Sequence, residues 1–149
     1  MRAYALANEQ QLFGAEELRR HGVLSWRFPP DDAERAAMVS AIKREHRYVD
    51  DDVVELSAET PNLDAVCAKF DREHFHTEDE VRVVLEGDGV FDVRDDDDRW
   101  IRIEVTEGDI ILIPAHKHHR FYLTDRRRIR CMRLFANHEG WAPLYRADG

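Results

Sequence analysis

The sequence predicts a mainly β protein with helices in its N-terminal part (α+β), built on an antiparallel sandwich or barrel. Short apolar runs recur at intervals of about ten residues in the C-terminal half, a spacing typical of all-β domains. These runs are VRVVL, VFDV, WIRIEV and IILIP. Charged stretches that favour turns separate them: EGDG at 86–89, DDDD at 95–98 and TEGD at 106–109. Upstream, three segments carry the start and stop signals of helices.

The first two helices are predicted by the residues at their ends. The segment AEELRRHG has acids early, arginines late and Gly22 as a C-terminal stop, so a short helix is expected from Ala15. After the proline pair that follows, Asp31 or Asp32 can cap a second helix through AERAAMVSAIKREH.

The third helix is expected in NLDAVCAKFDRE, with Thr60 at the cap and Pro61 at the first helical position. Leu63, Val66 and Phe70 follow at spacings of three and four, so one face of this helix should pack on the core. Three further segments of the N-terminal part are expected to be short strands: AYALA, VLSWRF and DDVVEL.

Length and composition indicate one domain, because 149 residues are close to the modal domain size and suffice for one core. We expect a single domain over residues 1–149, with a helical N-terminal third (about 1–73) packed on a β-barrel body (about 74–149). No apolar run is long enough for a membrane span or a signal peptide. We therefore expect a cytoplasmic protein, with a nuclear pool also open if the source is eukaryotic.

The charge of the chain argues against two classes of partner. A formal net charge of -9 disfavours broad electrostatic binding to nucleic acid or to an anionic membrane surface. The exception is a cluster of Arg126, Arg127, Arg128 and Arg130, which is most simply a solvated turn and strand edge. We expect no nucleic-acid partner, no membrane and a monomeric chain.

The stretch HFHTEDEVRVVLEGDG, from His74 to Gly89, contains the residues with the clearest chemistry. Side chains of an extended strand alternate between its two faces, so residues at even spacing share a face. One face would then carry His74, His76, Glu80 and Arg82. This pattern predicts three ligands converging on one metal ion with a cation beside them, and the competing interpretation is a surface strand with polar residues.

A fourth ligand is available in the segment IPAHKHHRF. His119 has the same parity as Phe121 and Leu123, so it points into the protein if that apolar pair does. His118 would then face outward, and it remains the alternative if a bulge shifts the register. His116 would lie in the preceding turn.

The spacing of these residues resembles the two sequence motifs of the cupin superfamily. The first motif is matched by His74, His76, Glu80 and Gly87, and the second by Gly108, Pro114 and His119. The resemblance implies a cupin-type antiparallel β-barrel of the jelly-roll kind. This chain has His116 where the second motif usually has glycine, and Leu123 replaces the terminal asparagine of that motif. A histidine at that point would adopt a left-handed conformation at some cost, or the turn would differ.

More narrowly, the chain resembles the acireductone dioxygenase family of the methionine salvage pathway. The resemblance lies in EVRVVLEGDGVFDVRDDDDRWIRIEVTEGDIILIPAHKHHRF and MRLFANHEGW, and it covers about residues 15 to 146. It implies metal ligands at His74, His76, Glu80 and His119, substrate-anion binding at Arg82 and Arg133, and pocket aromatics at Phe121 and Trp141. The other interpretations are structural ion pairs for the arginines, core packing for the phenylalanine and a lid residue for the tryptophan.

The resemblance also implies a cofactor and a reaction. Three neutral imidazoles and one carboxylate suit Fe(II), Ni(II) or Mn(II), and the lack of a thiolate argues against structural zinc. We expect one Fe(II) or Ni(II) per chain, with Mn(II) or Co(II) as substitutes. The implied substrates are O2 and the acireductone 1,2-dihydroxy-5-(methylthio)pent-1-en-3-one. The iron form would give 4-methylthio-2-oxobutanoate and formate, and the nickel form 3-methylthiopropanoate, CO and formate.

Two other functions are compatible with the same ligands. One is a different cupin enzyme, such as another dioxygenase or an isomerase, although the MRLF and GW segments argue against it. The other is a non-catalytic cupin that binds or regulates, a reading that the loss of a ligand would support; all four ligands are present.

Overall fold

The computed structural model describes residues 1–136 and 142–146. Three helices lie in the N-terminal part: α1 (Ala15–Arg20), α2 (Asp32–His46) and α3 (Leu63–Ala68). The strands are β1 (Arg2–Ala5), β2 (Asn8–Leu12), β3 (Leu24–Arg27), β4 (Asp50–Leu56), β5 (His74–Phe75), β6 (Glu80–Arg94), β7 (Trp100–Thr106), β8 (Asp109–Ile113), β9 (His119–Tyr122), β10 (Ile129–Phe135) and β11 (Leu144–Tyr145).

The long strand β6 belongs to two antiparallel sheets. Its first half pairs with β8 and β10, and these strands form a second sheet in the order β3-β8-β6-β10-β4. Its second half pairs with β7 and β9, in a first sheet of order β11-β5-β9-β6-β7-β1-β2. The shared strand therefore joins the two walls of the body, and the mainly β antiparallel fold predicted from the sequence is confirmed.

The core has two parts, one on each side of the second sheet. Between the sheets, inward residues of both walls pack together, among them Phe91, Ile103 and Ile111. On the outer face of the second sheet, Ile42 of α2 packs with residues such as Ile110. Strand β8 is buried along its whole length because it is covered on both faces, which explains its continuous apolar run.

The turn predicted at 86–89 is wrong. Strand β6 continues through these residues from Glu80 to Arg94. Gly87 has a φ of 81°, and a Cβ at this position would collide with the carbonyl group of Arg128. The glycine thus lets the strand bend from one sheet into the other, where a turn signal alone would end it. The turns at 95–98 and 106–109 are confirmed between β6 and β7 and between β7 and β8.

The predicted helix ends agree with the structure in two cases out of three. Asp31 caps α2 by accepting a hydrogen bond from the amide of Glu34 at 3.0 Å, and Gly22 has a φ of 85° just after α1. The prediction for α3, with Thr60 as the cap and Pro61 as the first helical residue, is wrong. Asn62 is the N-cap, and the helix begins at Leu63. Thr60 instead closes the preceding turn, where its hydroxyl accepts from the Ser57 amide at 2.9 Å.

Residues 1–73 contribute strands to both sheets as well as the three helices. The expected strands β1, β3 and β4 are present, and β2 adds a further one at the edge of the first sheet. The division of the domain near residue 73 stays a prediction. Among the helices of the described residues, none has the length and apolar character needed to cross a membrane.

Candidate metal centre

The sequence pattern predicts His74, His76 and Glu80 on one strand, but the structure divides them between two strands and the connection that joins them. His74 lies in the two-residue strand β5, His76 lies in the connection that follows, and Glu80 begins β6. His119 begins β9 and is the direct partner of His74 in the antiparallel pairing of β5 with β9. The strand is interrupted at 76–79 because β5 pairs with β9 and β11, whereas the start of β6 pairs with β8.

These four side chains converge in the interior. The ligand atoms of His74, His76 and His119 all lie within 4.8 Å of one another. Oε2 of Glu80 lies 2.7 Å from Nε2 of His119 and 3.6 Å from Nε2 of His76. None of the four residues is more than 4% exposed. Buried groups of this kind require a compensating partner.

Backbone carbonyl groups orient each imidazole. Nδ1 lies 2.7 Å from the Arg72 oxygen in His74, 3.3 Å from the Ala142 oxygen in His76, and 2.8 Å from the Lys117 oxygen in His119. A carbonyl oxygen only accepts hydrogen bonds, so Nδ1 donates and the neutral ring keeps its lone pair on Nε2. This arrangement of ligating histidines is the common one in protein metal sites.

The electrostatics of the cluster favour a neutral His74 beside an ionised Glu80. Burial and, after it, the neighbouring His119 lower the pKa of His74 to about 4. Burial alone would raise the pKa of Glu80, but the charges of His119 and Arg82 hold it well below its usual range. At neutral pH, His74 is therefore neutral and Glu80 carries a negative charge.

A divalent cation fits these donors. Nε2 of His119 and Oε2 of Glu80 are buried, and neither atom has a hydrogen-bond partner within residues 1–136 and 142–146. Two lone-pair donors 2.7 Å apart repel each other unless a cation or a proton lies beside them. Three imidazole nitrogens and a carboxylate oxygen are ligands that Fe, Ni and Mn accept.

The neighbouring histidines have different surroundings. His118 is half-buried and faces Glu73, whose Oε2 lies 3.3 Å from its Nδ1. His116 is exposed and has a φ of 67°, the left-handed conformation that the replacement of glycine implied. The amide of His116 donates to the carbonyl oxygen of His76 at 2.8 Å, so this turn lies against the metal cluster.

Arg82 connects the cluster to a cavity. Its Nε donates to Oε1 of Glu80 at 3.0 Å. Burial opposes its charge, yet Glu80 and Cys131 keep the pKa of Arg82 above its ordinary value. The cavity, here called the side cavity, has a volume of about 280 Å³ and is lined by Val54, Glu55, Leu56, Val66, Phe70, Arg82, Phe121, Ile129 and Arg133. The arginine thus contacts a cluster residue and also faces open space.

Arg133 stands opposite Arg82 in the pairing of β10 with β6. It forms a two-pronged ion pair with Asp52 of β4, at 2.8 and 2.6 Å, and it lines the side cavity. Phe121 also lines the cavity, and its ring packs on Phe91 at a centroid distance of 4.9 Å. Cavity lining and core packing therefore both describe this phenylalanine.

The remaining predicted residue, Trp141, lies outside the described residues. Sequence reasoning missed Asp52 and the contribution of α3 to the cavity. The signal for Asp52 was present, since it shares parity with Val54 and Leu56 on β4, and both of these line the cavity. The spacing of Val66 and Phe70 predicts a helix face packed on the core, but both side chains line the cavity, and Phe70 lies beyond the end of α3 at Ala68.

Comparisons with known proteins bear on this site. The sequence profile of the ARD/ARD' family matches residues 6–143. The acireductone dioxygenase of Dictyostelium discoideum is 36% identical over 146 residues, which cover 98% of this chain and 99% of the relative. The acireductone dioxygenase of Homo sapiens is 38% identical over 134 residues, covering 89% of this chain and 75% of the relative.

A solved structure agrees with the sequence relatives. Acireductone dioxygenase from Bacillus anthracis, with a cadmium ion in its active centre, superposes with a TM-score of 0.87. It is 29% identical, and the match covers 97% of each chain. This likeness shows that the present chain shares the fold of that enzyme. From the profile match, the relatives and the shared fold, we conclude that this chain belongs to the ARD/ARD' family.

Proposed function

We propose that this protein is a metal-dependent acireductone dioxygenase of methionine salvage, with one Fe(II) or Ni(II) held by His74, His76, Glu80 and His119. The observation that carries the proposal is the convergence of three Nε2 atoms and one carboxylate beside a cavity that two arginines line. The substrate is 1,2-dihydroxy-5-(methylthio)pent-1-en-3-one, an enediol that loses a proton to form an anion with two adjacent oxygens.

The bound metal would serve as template and Lewis acid for the enediolate and O2. The protein supplies the charge balance around the substrate. Arg82 and Arg133 line the side cavity from neighbouring strands, so the anionic end of a bound substrate would meet guanidinium groups. Their acidic partners Glu80 and Asp52 hold the guanidinium groups in place and keep two half-buried cations compensated when no substrate is bound.

The side cavity suits the uncharged end of the substrate. Its lining is largely apolar, with residues from β4, α3, β9 and β10. A methylthioethyl tail removes apolar surface from water when it enters such a cavity. The polar enediol would then point along Arg82 towards the metal cluster, and Phe121 would lie beside the tail.

The identity of the metal decides the products. With iron, the proposed products are 4-methylthio-2-oxobutanoate and formate. With nickel, they are 3-methylthiopropanoate, CO and formate. The same donors accept either metal. Affinity for nickel exceeds that for iron in most sites of this kind, so site geometry and metal supply decide which metal is bound. We further propose a monomeric, cytoplasmic enzyme.

Product analysis of iron-loaded and nickel-loaded protein tests the proposal. Metal-free protein is loaded with each metal without O2, then mixed with acireductone and air. Keto acid from the iron form and CO from the nickel form are the expected results. Loaded protein that leaves acireductone decay at the uncatalysed rate would contradict the function, and a different product from both forms would indicate another cupin enzyme.

A further inference from the structure

Asp79 precedes the cluster residue Glu80 in the chain, but its side chain is engaged elsewhere. Oδ1 of Asp79 accepts a hydrogen bond from the amide of Ala115 at 2.9 Å. Oδ2 accepts from the hydroxyl of Tyr48 at 2.7 Å. Neighbouring residues of an extended segment point to opposite sides, so Asp79 points away from the cluster that Glu80 faces.

The amide that Asp79 binds belongs to the turn between β8 and β9. This turn contains His116 in its left-handed conformation, and the amide of Lys117 closes it by donating to the Pro114 oxygen at 3.2 Å. The Lys117 oxygen in turn accepts from Nδ1 of His119 at 2.8 Å. The position of the turn therefore sets both the place and the ring orientation of His119.

The other partner of Asp79, Tyr48, is a buried residue of the core. Tyr48 is 6% exposed and packs in the core beneath α2 with Ile42 and Leu134. Its ring stacks on His46 at a centroid distance of 5.8 Å. Burial and the neighbouring Asp79 raise the pKa of Tyr48, so the hydroxyl keeps its proton and remains a donor.

We propose that Asp79 is a positioning residue, whose carboxylate ties the Ala115 turn to Tyr48 so that His119 reaches the metal. The inference rests on the proposed function, in which His119 is a ligand. A non-glycine residue at φ 67° costs free energy, and the surrounding contacts must hold it in place. Asp79 on one side of the turn, and the His76 carbonyl oxygen on the other, are the contacts that do so.

The test measures the binding of Co(II) to metal-free protein, by chelator competition and by the visible ligand-field spectrum. Asp79→Ala is expected to weaken Co(II) about tenfold or more and to change the spectrum, as losses of outer-sphere partners do. Asp79→Asn should stay within about threefold of wild type, because its amide accepts from Ala115 and donates to the Tyr48 oxygen. Tyr48→Phe removes only one hydrogen bond and should fall between the two.

Asp109→Ala is the matched control. Asp109 likewise accepts from a backbone amide at a turn, that of Thr106 at 2.8 Å, and it also pairs with Arg27 at 2.7 Å. Its loss should lower the unfolding midpoint while leaving the Co(II) affinity and spectrum unchanged. The inference is overturned if Asp79→Ala binds Co(II) like wild type, or if the control weakens Co(II) equally. Wild-type protein that fails to bind Co(II) would overturn the proposed metal site itself.

Discussion

His74 and His119 are direct partners across strands β5 and β9, and their rings lie 4.5 Å apart between centroids. Strand pairing thus brings one imidazole from each of two distant parts of the chain to the same point. The register of β9 consequently decides which histidine of the KHHR segment faces the metal cluster. His119 is 1% exposed, whereas the side chain of His118 is 32% exposed and faces Glu73.

Replacement of the two histidines separates these positions. His119→Ala removes one of the four donors, so we expect purified protein to lose bound metal and dioxygenase activity. His118→Ala leaves the donors in place and should retain close to one metal per chain. Elemental analysis and an acireductone assay check both variants, and loss of metal in His118→Ala alone would mean that the register of β9 is displaced by one residue.

Arg133→Gln is expected to impair substrate binding more than metal binding. The variant keeps the Cβ, Cγ and Cδ atoms of the side chain but removes the positive charge that faces the side cavity. Charge-assisted hydrogen bonds contribute about 1.5–3 kcal/mol, so we expect KM for acireductone to rise about tenfold or more. Metal content should stay at the wild-type level.

Asp52→Asn distinguishes this role from a purely structural ion pair. The amide keeps the shape of Asp52 but weakens the ion pair with Arg133. If the arginine serves only the fold, both variants should lower the unfolding midpoint and leave KM unchanged. If it binds substrate, Asp52→Asn should affect KM much less than Arg133→Gln does.

The volume of the side cavity should determine the length of the substrate tail that is accepted. Val66→Phe places a larger side chain of α3 at the cavity lining. We expect a higher KM for the methylthio substrate and a smaller effect on an acireductone with a methyl group in place of the tail. Val53→Phe is the control, since Val53 lies on the outer face of β4 and is 47% exposed. Equal KM changes with both substrates would contradict the prediction that the side cavity holds the tail.

The metal-free protein should lose stability as the pH falls from neutral to about 4. The pKa of His74 is about 4 in the folded state against 6.5 for an unperturbed histidine. Between these values the unfolded chain binds a proton that the folded chain excludes, so the free energy of unfolding falls as the pH falls. The loss is about 3 kcal/mol at most, and above pH 6.5 this group contributes no slope.

Urea unfolding at several pH values measures this effect. The difference in free energy of unfolding between pH 7 and pH 4 should be larger for wild type than for His74→Gln, which has no titrating ring. Saturating Ni(II) should stabilise the wild type at pH 7, because it binds only the folded state. Equal pH slopes in the two proteins would mean that His74 titrates normally.

Local sequence patterns predicted much of the candidate site. Alternation along a strand depends only on backbone geometry, so the parity of His119 with Phe121 holds wherever β9 is placed. The glycine motif of the first cupin segment was also visible, but Gly87 bends a strand where a turn had been expected. A glycine with a positive φ is compatible with a turn or with a bent strand. The strand is formed here because residues up to Gly87 pair with β10 and residues from Asp88 pair with β7.

The sequence by itself determined the donor types, their spacing, the helices α1 and α2, and the antiparallel β body, since each depends on residues near one another in the chain. Only the tertiary structure decided that Asp52 partners Arg133, that Asp79 holds the Ala115 turn to Tyr48, and that α3 helps to line the side cavity. These relationships join segments far apart in the chain, so no local period or propensity specifies them, and they form only when the two sheets pack around the shared strand β6.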